Sequence, residues 1–335
     1  MGFLSRLFGS SPTNPQIRVY HSYGDDDRCF VIGHVLEDAP ERESSVEPGE
    51  SGLWANARAM LRLFALKPQA GALVEVCFGG VTFTTTANAE GFFHVDLLGD
   101  TPHRTGWHNV SAKGLSGTAA GVEGKGKVFH PVSKKQGFIS DIDDTFLVSH
   151  SRNIFRRLRT LLTKTPHTRK PFEGVVAHYQ ALALHNTTEE APHPFFYVSS
   201  SEWNLYDYIR DFCRYHGLPE GIFLLSSLKQ LSDFVKTGSN NHSTKLDRIA
   251  RILEEYPATR FVLLGDDTQH DPEIYRKIVE RFGTQINAVY LRRRRKSEVA
   301  AIQAVLDEIR LAGVPVCYFR HSNEALEHSR KIGLA

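Results

Sequence analysis

Five consecutive residues near the middle of the chain, Asp141-Ile142-Asp143-Asp144-Thr145, crowd three carboxylates behind a short apolar stretch. If the extended path of Phe138-Ile139-Ser140 continues, Asp141 and Asp143 project to the same side. Like charges held that close repel unless a proton or a cation lies between them. A hard divalent ion with oxygen ligands answers that need, and magnesium is the usual choice where phosphate is handled. In such a setting Asp141 is a nucleophile toward phosphorus, forming an aspartyl phosphate. Asp143 is placed to protonate the leaving oxygen and later to deprotonate water. The plain alternative is an acidic turn. An EF-hand calcium loop needs further ligands and a glycine at fixed offsets, which this run lacks.

Three further groups extend the pattern. Ser199-Ser200-Ser201 follows the apolar Phe195-Phe196-Tyr197-Val198. A hydroxyl and nearby backbone amides at a helix start hold phosphoryl oxygens, although serine is also a common helix cap. Lys245 precedes Leu246, Ile249, Ile252 and Leu253 on an apolar helical face. A lysine there offsets charge that develops on a phosphoryl group, or it is simply solvated. Gly265-Asp266-Asp267-Thr268-Gln269-His270-Asp271 follows Phe261-Val262-Leu263-Leu264. Its carboxylates Asp266, Asp267 and Asp271 can complete an octahedral magnesium shell. The plain reading is a polar turn in which Asp271 caps a helix that Pro272 begins. Each group is ambiguous alone, and their order along the chain strengthens all of them.

The elements that must position these residues change character near residue 130. Residues 16–130 read as short strands. Ile17–His21, Ala72–Phe78, Val81–Thr86, Gly91–Leu97, Trp107–Ala112 and Gly126–Phe129 are alternating or rich in β-branched residues, with turns such as Gly79-Gly80 between them. The spacing predicts a β-sandwich-like domain, interrupted by one helix around Trp54–Phe64. Residues 131–335 alternate instead between apolar strands and helices. The helices are expected over Leu205–His216, Lys245–Glu255, Pro272–Phe282 and Glu298–Ala312. That alternation predicts an α/β domain, a Rossmann-like parallel sheet with helices on both faces. Sites in such sheets form at the carboxyl ends of the strands. Residues 1–15 form a separate N-terminal segment.

Taken in order, the Asp-x-Asp-x-Thr run at Asp141, Asp143 and Thr145, the hydroxyl of Ser199, the Lys245 and the acidic loop of Asp266 and Asp271 resemble the four motifs of the haloacid dehalogenase superfamily. Ser140–Thr145, Pro166-His167-Thr168-Arg169-Lys170-Pro171-Phe172, Ser199–Tyr206 and Gly265–Tyr275 resemble the actin-patch-associated phosphatidate phosphatase family within it. The resemblance extends from about Gly137 to Ala335 and is looser over the β-rich part. It implies magnesium-dependent dephosphorylation of phosphatidate to diacylglycerol. It also implies Asp141 as nucleophile and metal ligand, and Asp143 as acid/base and metal ligand through its carbonyl. Thr145, Ser199, Ser200 and Lys245 hold the substrate, and Asp266 is the next metal ligand, with Asp267 and Asp271 alongside. Two positions depart from the family pattern. Glu202 stands where the family has proline, and Asp267 where it has a small residue or serine. Glu202 adds negative charge near a phosphate site, which bears on the substrate rather than on the chemistry.

The bulk properties are compatible with this. The chain has 335 residues, 41% hydrophobic and 23% charged, with a formal net charge of +2, so no global field calls for nucleic acid. Cys29, Cys77, Cys213 and Cys317 stand far apart with no Cys-x-x-Cys pair, which speaks against a zinc site or a disulfide framework and for a reducing cytoplasm. No stretch is long and apolar enough to span a bilayer. Phe3, Leu4, Leu7 and Phe8 share one face of a short N-terminal helix, read as a frayed end or as a weak interfacial anchor. Arg152, Arg156, Arg157, Arg159, Lys164, Arg169 and Lys170 accompany Ile154, Phe155, Leu158, Leu161 and Leu162 in a basic amphipathic stretch. A peripheral dock for an anionic membrane and an ordinary packed helix account for it equally. Arg292-Arg293-Arg294-Arg295-Lys296 reads as a solvated loop or a contact for lipid phosphates. The expected partner is a phosphorylated lipid or a small phosphomonoester. The alternatives are a phosphatase of soluble esters and a non-catalytic interaction protein. Oligomeric state leaves no mark on the sequence.

Overall fold

The structure, a computed structural model, describes residues 14–25, 28–39, 66–98, 105–131, 135–142, 170–226, 241–268, 270–294 and 299–335. They divide into two units, one within Met1–Arg104 and His108–Val128, the other within Thr105–Trp107 and Phe129–Ala335. The helix expected at Trp54–Phe64, the N-terminal segment and most of the basic amphipathic stretch lie outside the described residues.

The first unit is β-rich. Its strands are β1 (Gln16–Val19), β2 (Ser22–Gly24), β3 (Arg28–Asp38), β4 (Lys67–Pro68), β5 (Leu73–Phe78), β6 (Val81–Thr86), β7 (Phe92–Leu98), β8 (Gly106–Gly114) and β9 (Glu123–His130). Hydrogen bonds join all nine in one branched network, β1-β3-β2-β9-β8-β5-β6, with β4 and β7 also on β3. The far end of that path returns to β7, where Thr85 Oγ1 donates to the His94 carbonyl at 3.1 Å. The sheet thereby encloses a core that includes Ile17, Val31, Val35, Val74, Val76, Phe93, Val110 and Val128. Its organiser, β3, is the strand that alternation does not reveal. Val35 and Leu36 are neighbours in sequence and both are fully buried, so the run is covered on both faces and loses the period of two. Gly33 of β3 lies opposite Phe93 of β7, and a Cβ there would run into the Phe93 ring.

The second unit holds six parallel strands: β10 (Gln136–Asp141), β11 (Phe195–Glu202), β12 (Ile222–Ser226), β13 (Arg260–Asp266), β14 (Ile286–Arg292) and β15 (Val316–Phe319). Their spatial order is β12-β11-β10-β13-β14-β15. The order therefore runs outward one way from β10 to β12 and the other way from β13 to β15, reversing between β10 and β13. Six helices accompany the sheet among the described residues: α1 (Val175–Ala183), α2 (Tyr206–Tyr215), α3 (Asn241–Glu255), α4 (Asp271–Phe282), α5 (Val299–Leu311) and α6 (Ser322–Lys331). Two packed groups flank it, α3 with α4 and α5, and α1 with α6. The mixed α/β architecture with a parallel sheet agrees with the alternation of the sequence, while β12, α1 and α6 are additions to it. No described helix is long and apolar enough to cross a membrane.

Candidate active site

β10 ends in Asp141 and its neighbour β13 ends in Asp266, with Ser140 paired to Leu264 between them. The two carboxylates thus leave the sheet at one rim, beside the reversal of strand order, where open α/β sheets form their crevice. Ser140 is tethered beneath them. Its hydroxyl donates to the Asp141 carbonyl at 2.8 Å and lies 2.9 Å from the Tyr179 hydroxyl of α1.

Lys245, in the first turns of α3, reaches the same place. Its Nζ donates to Asp141 Oδ1 at 2.7 Å and to Asp271 Oδ1, and all three side chains are buried. Burial works against the ammonium charge, but the paired carboxylates of Asp141 and Asp271 outweigh it and hold Lys245 above its ordinary value. Asp271 is the first residue of α4, preceded by His270, whose side chain makes no cap hydrogen bond. The Asp271 carboxylate faces inward. One oxygen takes the lysine, and the other accepts the Asp266 backbone N–H at 3.3 Å. Gly265 admits this turn, since a Cβ there would lie 2.5 Å from Asp271 Oδ2 and 2.8 Å from the Tyr275 hydroxyl. Asp266 Oδ1 accepts from both the backbone and the hydroxyl of Thr268, at 2.7 and 2.8 Å.

Ser199 stands one strand away. In β11, Val198 pairs with Leu224 but Glu202 pairs with Ser226, so two extra residues of β11 bulge from the ladder. Ser199 opens that bulge. Its buried hydroxyl accepts the Ser201 backbone N–H at 2.9 Å. The Ser199 carbonyl accepts from Arg248 of α3 at 3.0 Å, and a second nitrogen of Arg248 donates to Ser226 Oγ at 2.9 Å.

Of the residues the sequence singles out, the fold brings Asp141, Lys245, Asp266 and Asp271 together and sets Ser199 on the adjoining strand. Asp267 is buried nearby, yet its carboxylate faces away from Lys245. Oδ1 accepts the Arg294 backbone N–H at 2.8 Å, and Oδ2 accepts the Tyr318 hydroxyl at 2.7 Å. Asp143, Thr145 and the Ser200 side chain lie outside the described residues. Among those described, no three His, Cys, Asp or Glu side chains converge closely enough to hold a metal ion. Asp267 and Asp271 have become internal tethers. Arg292 also departs from the reading of a solvated run. It is buried, stacked between Phe172 at 4.6 Å and Phe319 at 4.9 Å, and it donates to the Arg320 carbonyl at 3.1 Å and to Ser322 Oγ at 2.6 Å. Sequence reasoning passed over Arg248, although it follows Lys245 by three residues and so shares its helix side. It also passed over Tyr179 and Tyr318, whose partners are set only by distant strands.

Residues 136–293 match the family described as the phosphatidate phosphatase APP1 catalytic domain. Across 160 residues, 47% of this chain, the sequence is 31% identical to phosphatidate phosphatase APP1 of Saccharomyces cerevisiae, and the match covers 25% of that protein. Across 220 residues, 63% of the chain, it is 26% identical to an uncharacterised Schizosaccharomyces pombe protein, covering 34% of it. The chain thus spans a quarter to a third of the length of these curated relatives. Among solved structures, a carbohydrate acetylesterase from Xanthomonas citri aligns over 96% of this chain and 74% of its own. The identity is 11% and the TM-score 0.36, a likeness too slight to bear on fold or function.

Proposed function

We propose that the chain is a magnesium-dependent phosphoric monoester hydrolase of the haloacid dehalogenase type, acting on phosphatidate to give diacylglycerol. The observation that carries this reading is the buried Lys245 joining Asp141 to Asp271 at the strand reversal, one strand from the Ser199 bulge. The APP1-family match of the same segment supports it, as does the yeast relative's identity as a phosphatidate phosphatase.

In this reading the Asp141 carboxylate attacks phosphorus and the ester P–O bond breaks. The leaving alkoxide takes a proton from Asp143. Water then cleaves the aspartyl phosphate, giving its proton to Asp143. Lys245 balances negative charge on the phosphoryl oxygens while holding the nucleophile in place. The Ser199 hydroxyl, oriented through Ser201, offers its O–H to one of those oxygens, with Thr145 and Ser200 assigned to the same task. The donor set suits magnesium, which takes one or two carboxylates together with water and substrate phosphate. Asp141 and Asp266 would hold the ion, with the Asp143 carbonyl. When bound it would neutralise phosphate charge. Catalysis is assigned to residues 131–335. A lipid substrate implies peripheral contact with a membrane surface, and free thiols fit a cytoplasmic site.

The test is phosphate release from phosphatidate in mixed micelles against a panel of soluble phosphomonoesters, each with magnesium or with chelator. Turnover of phosphatidate only with magnesium is the expected result. Turnover of soluble esters alone would remove the lipid reading, and turnover in chelator would remove the metal.

A further inference from the structure

Helix α3 carries two cationic side chains to the rim. Lys245 turns to the carboxylates, while Arg248, three residues later, turns to β11 and β12. Two acceptors of Arg248, the Ser199 carbonyl at 3.0 Å and Ser226 Oγ at 2.9 Å, lie on the two strands whose register the bulge shifts. A carbonyl displaced from a ladder by a bulge needs another donor, and Arg248 provides one. The planar fork of a guanidinium fixes two acceptors at once, whereas an ammonium acts as a single point charge. Burial pushes the Arg248 guanidinium down to about 10, against the opposite pull of Asp247, so the contact is kept in spite of a desolvation penalty.

We propose that Arg248 is a positioning residue for phosphoryl transfer: it locks the Ser199 bulge to the helix that bears Lys245, so that hydroxyl and ammonium meet the same phosphoryl group. This rests on the roles given to Ser199 and Lys245 above. Arg248 binds the backbone behind Ser199 and not the phosphoryl group. Its loss leaves both binding groups present but misplaced. An offset near 1 Å in such a site costs on the order of 100-fold in rate.

The experiment uses the full chain with Arg248→Gln, Arg248→Lys and Ser226→Ala. Folding is checked by thermal melting. Kinetics are measured on a soluble phosphomonoester, and orthovanadate inhibition probes the five-coordinate geometry. Arg248→Gln is expected to lower kcat by about 100-fold and to weaken orthovanadate inhibition in parallel, with KM changed less than about threefold. Arg248→Lys recovers little of this, because it reaches one acceptor at a time. Ser226→Ala loses roughly fivefold in kcat. A folded Arg248→Gln enzyme with kcat and orthovanadate inhibition within about threefold of wild type overturns the proposal. So does a raised KM at constant kcat that Arg248→Lys restores, since that marks direct contact with substrate. If Arg248→Gln does not fold, an unchanged kcat in Ser226→Ala overturns it instead. A wild-type chain without phosphatase activity removes the proposed function and this inference together, whereas an active wild type with an insensitive Arg248→Gln removes this inference alone.

Discussion

The β-rich unit packs a core of Val, Ile, Phe, Ala and Cys, and the neutral polar groups it buries are tied to backbone. Gln69 accepts from the Ala119 N–H at 3.1 Å and from Thr118 Oγ1 at 2.7 Å, and His34 bonds the Glu90 carbonyl at 2.8 Å. No Asp or Glu is buried there among the described residues. In the parallel unit Asp141, Asp266, Asp267, Asp271 and Lys245 are all buried along one rim. Taking an ion out of water costs several kcal/mol even after relaxation. Among the described residues the β-rich unit buries one charged side chain, Arg18, whereas the parallel unit gathers four carboxylates and a lysine at the strand reversal. That gathering marks the site better than any one of its residues.

The largest expected effect strikes that rim. Asp141→Asn removes the nucleophile and should lower phosphate release by at least about 10⁴-fold. Activity surviving that change would end the covalent mechanism. Lys245→Met leaves two carboxylates buried without their cation, and the parallel unit should lose about 3–5 kcal/mol in urea unfolding. A variant as stable as wild type would erase the contrast between the units. Phe93→Ala opens a cavity in the β-rich core at about 3–5 kcal/mol. Turnover of a soluble ester by the folded protein should not change, so a parallel loss of kcat/KM would show that the β-rich unit serves catalysis. Smallest is a pH effect that the units share. Burial first of all lowers His34 to about 4 and His178 to about 3, from 6.5. Both are therefore neutral when folded, and the unfolded chain binds their protons first. The stability from neutral burial is complete above about pH 6.5 and declines as pH falls through the interval down to the folded values. Unfolding midpoints at pH 7 and 5 should differ less in His178→Asn than in wild type, and an equal difference would refute the assignment.

β7 was legible because its side chains alternate between core and solvent, and β6 because it is rich in β-branched residues. β3 and β12 were not, because burial on both sides removes the alternation and leaves short apolar runs that helix and strand share. At the site, Asp141, Ser199, Lys245 and Asp266 were legible because each adjoins an apolar run, although β11 continues past Ser199 to Glu202 and α3 begins earlier than Lys245, at Asn241. Arg248 and Tyr318 were not. Each bonds a group on a distant element, Ser199 by 49 residues and Asp267 by 51.

By itself, then, the order of residues determined which carboxylates, hydroxyl and lysine adjoin the apolar runs, because local hydrophobic period sets where a buried run stops. Only the tertiary structure decided how the acidic groups divide their work. Asp141 and Asp266 share the reversal point, Asp271 holds Lys245, and Asp267 ties β14 to β15. That division depends on which way each side chain turns once burial has made every unpartnered charge costly, and partners from separate elements become available only in the assembled sheet.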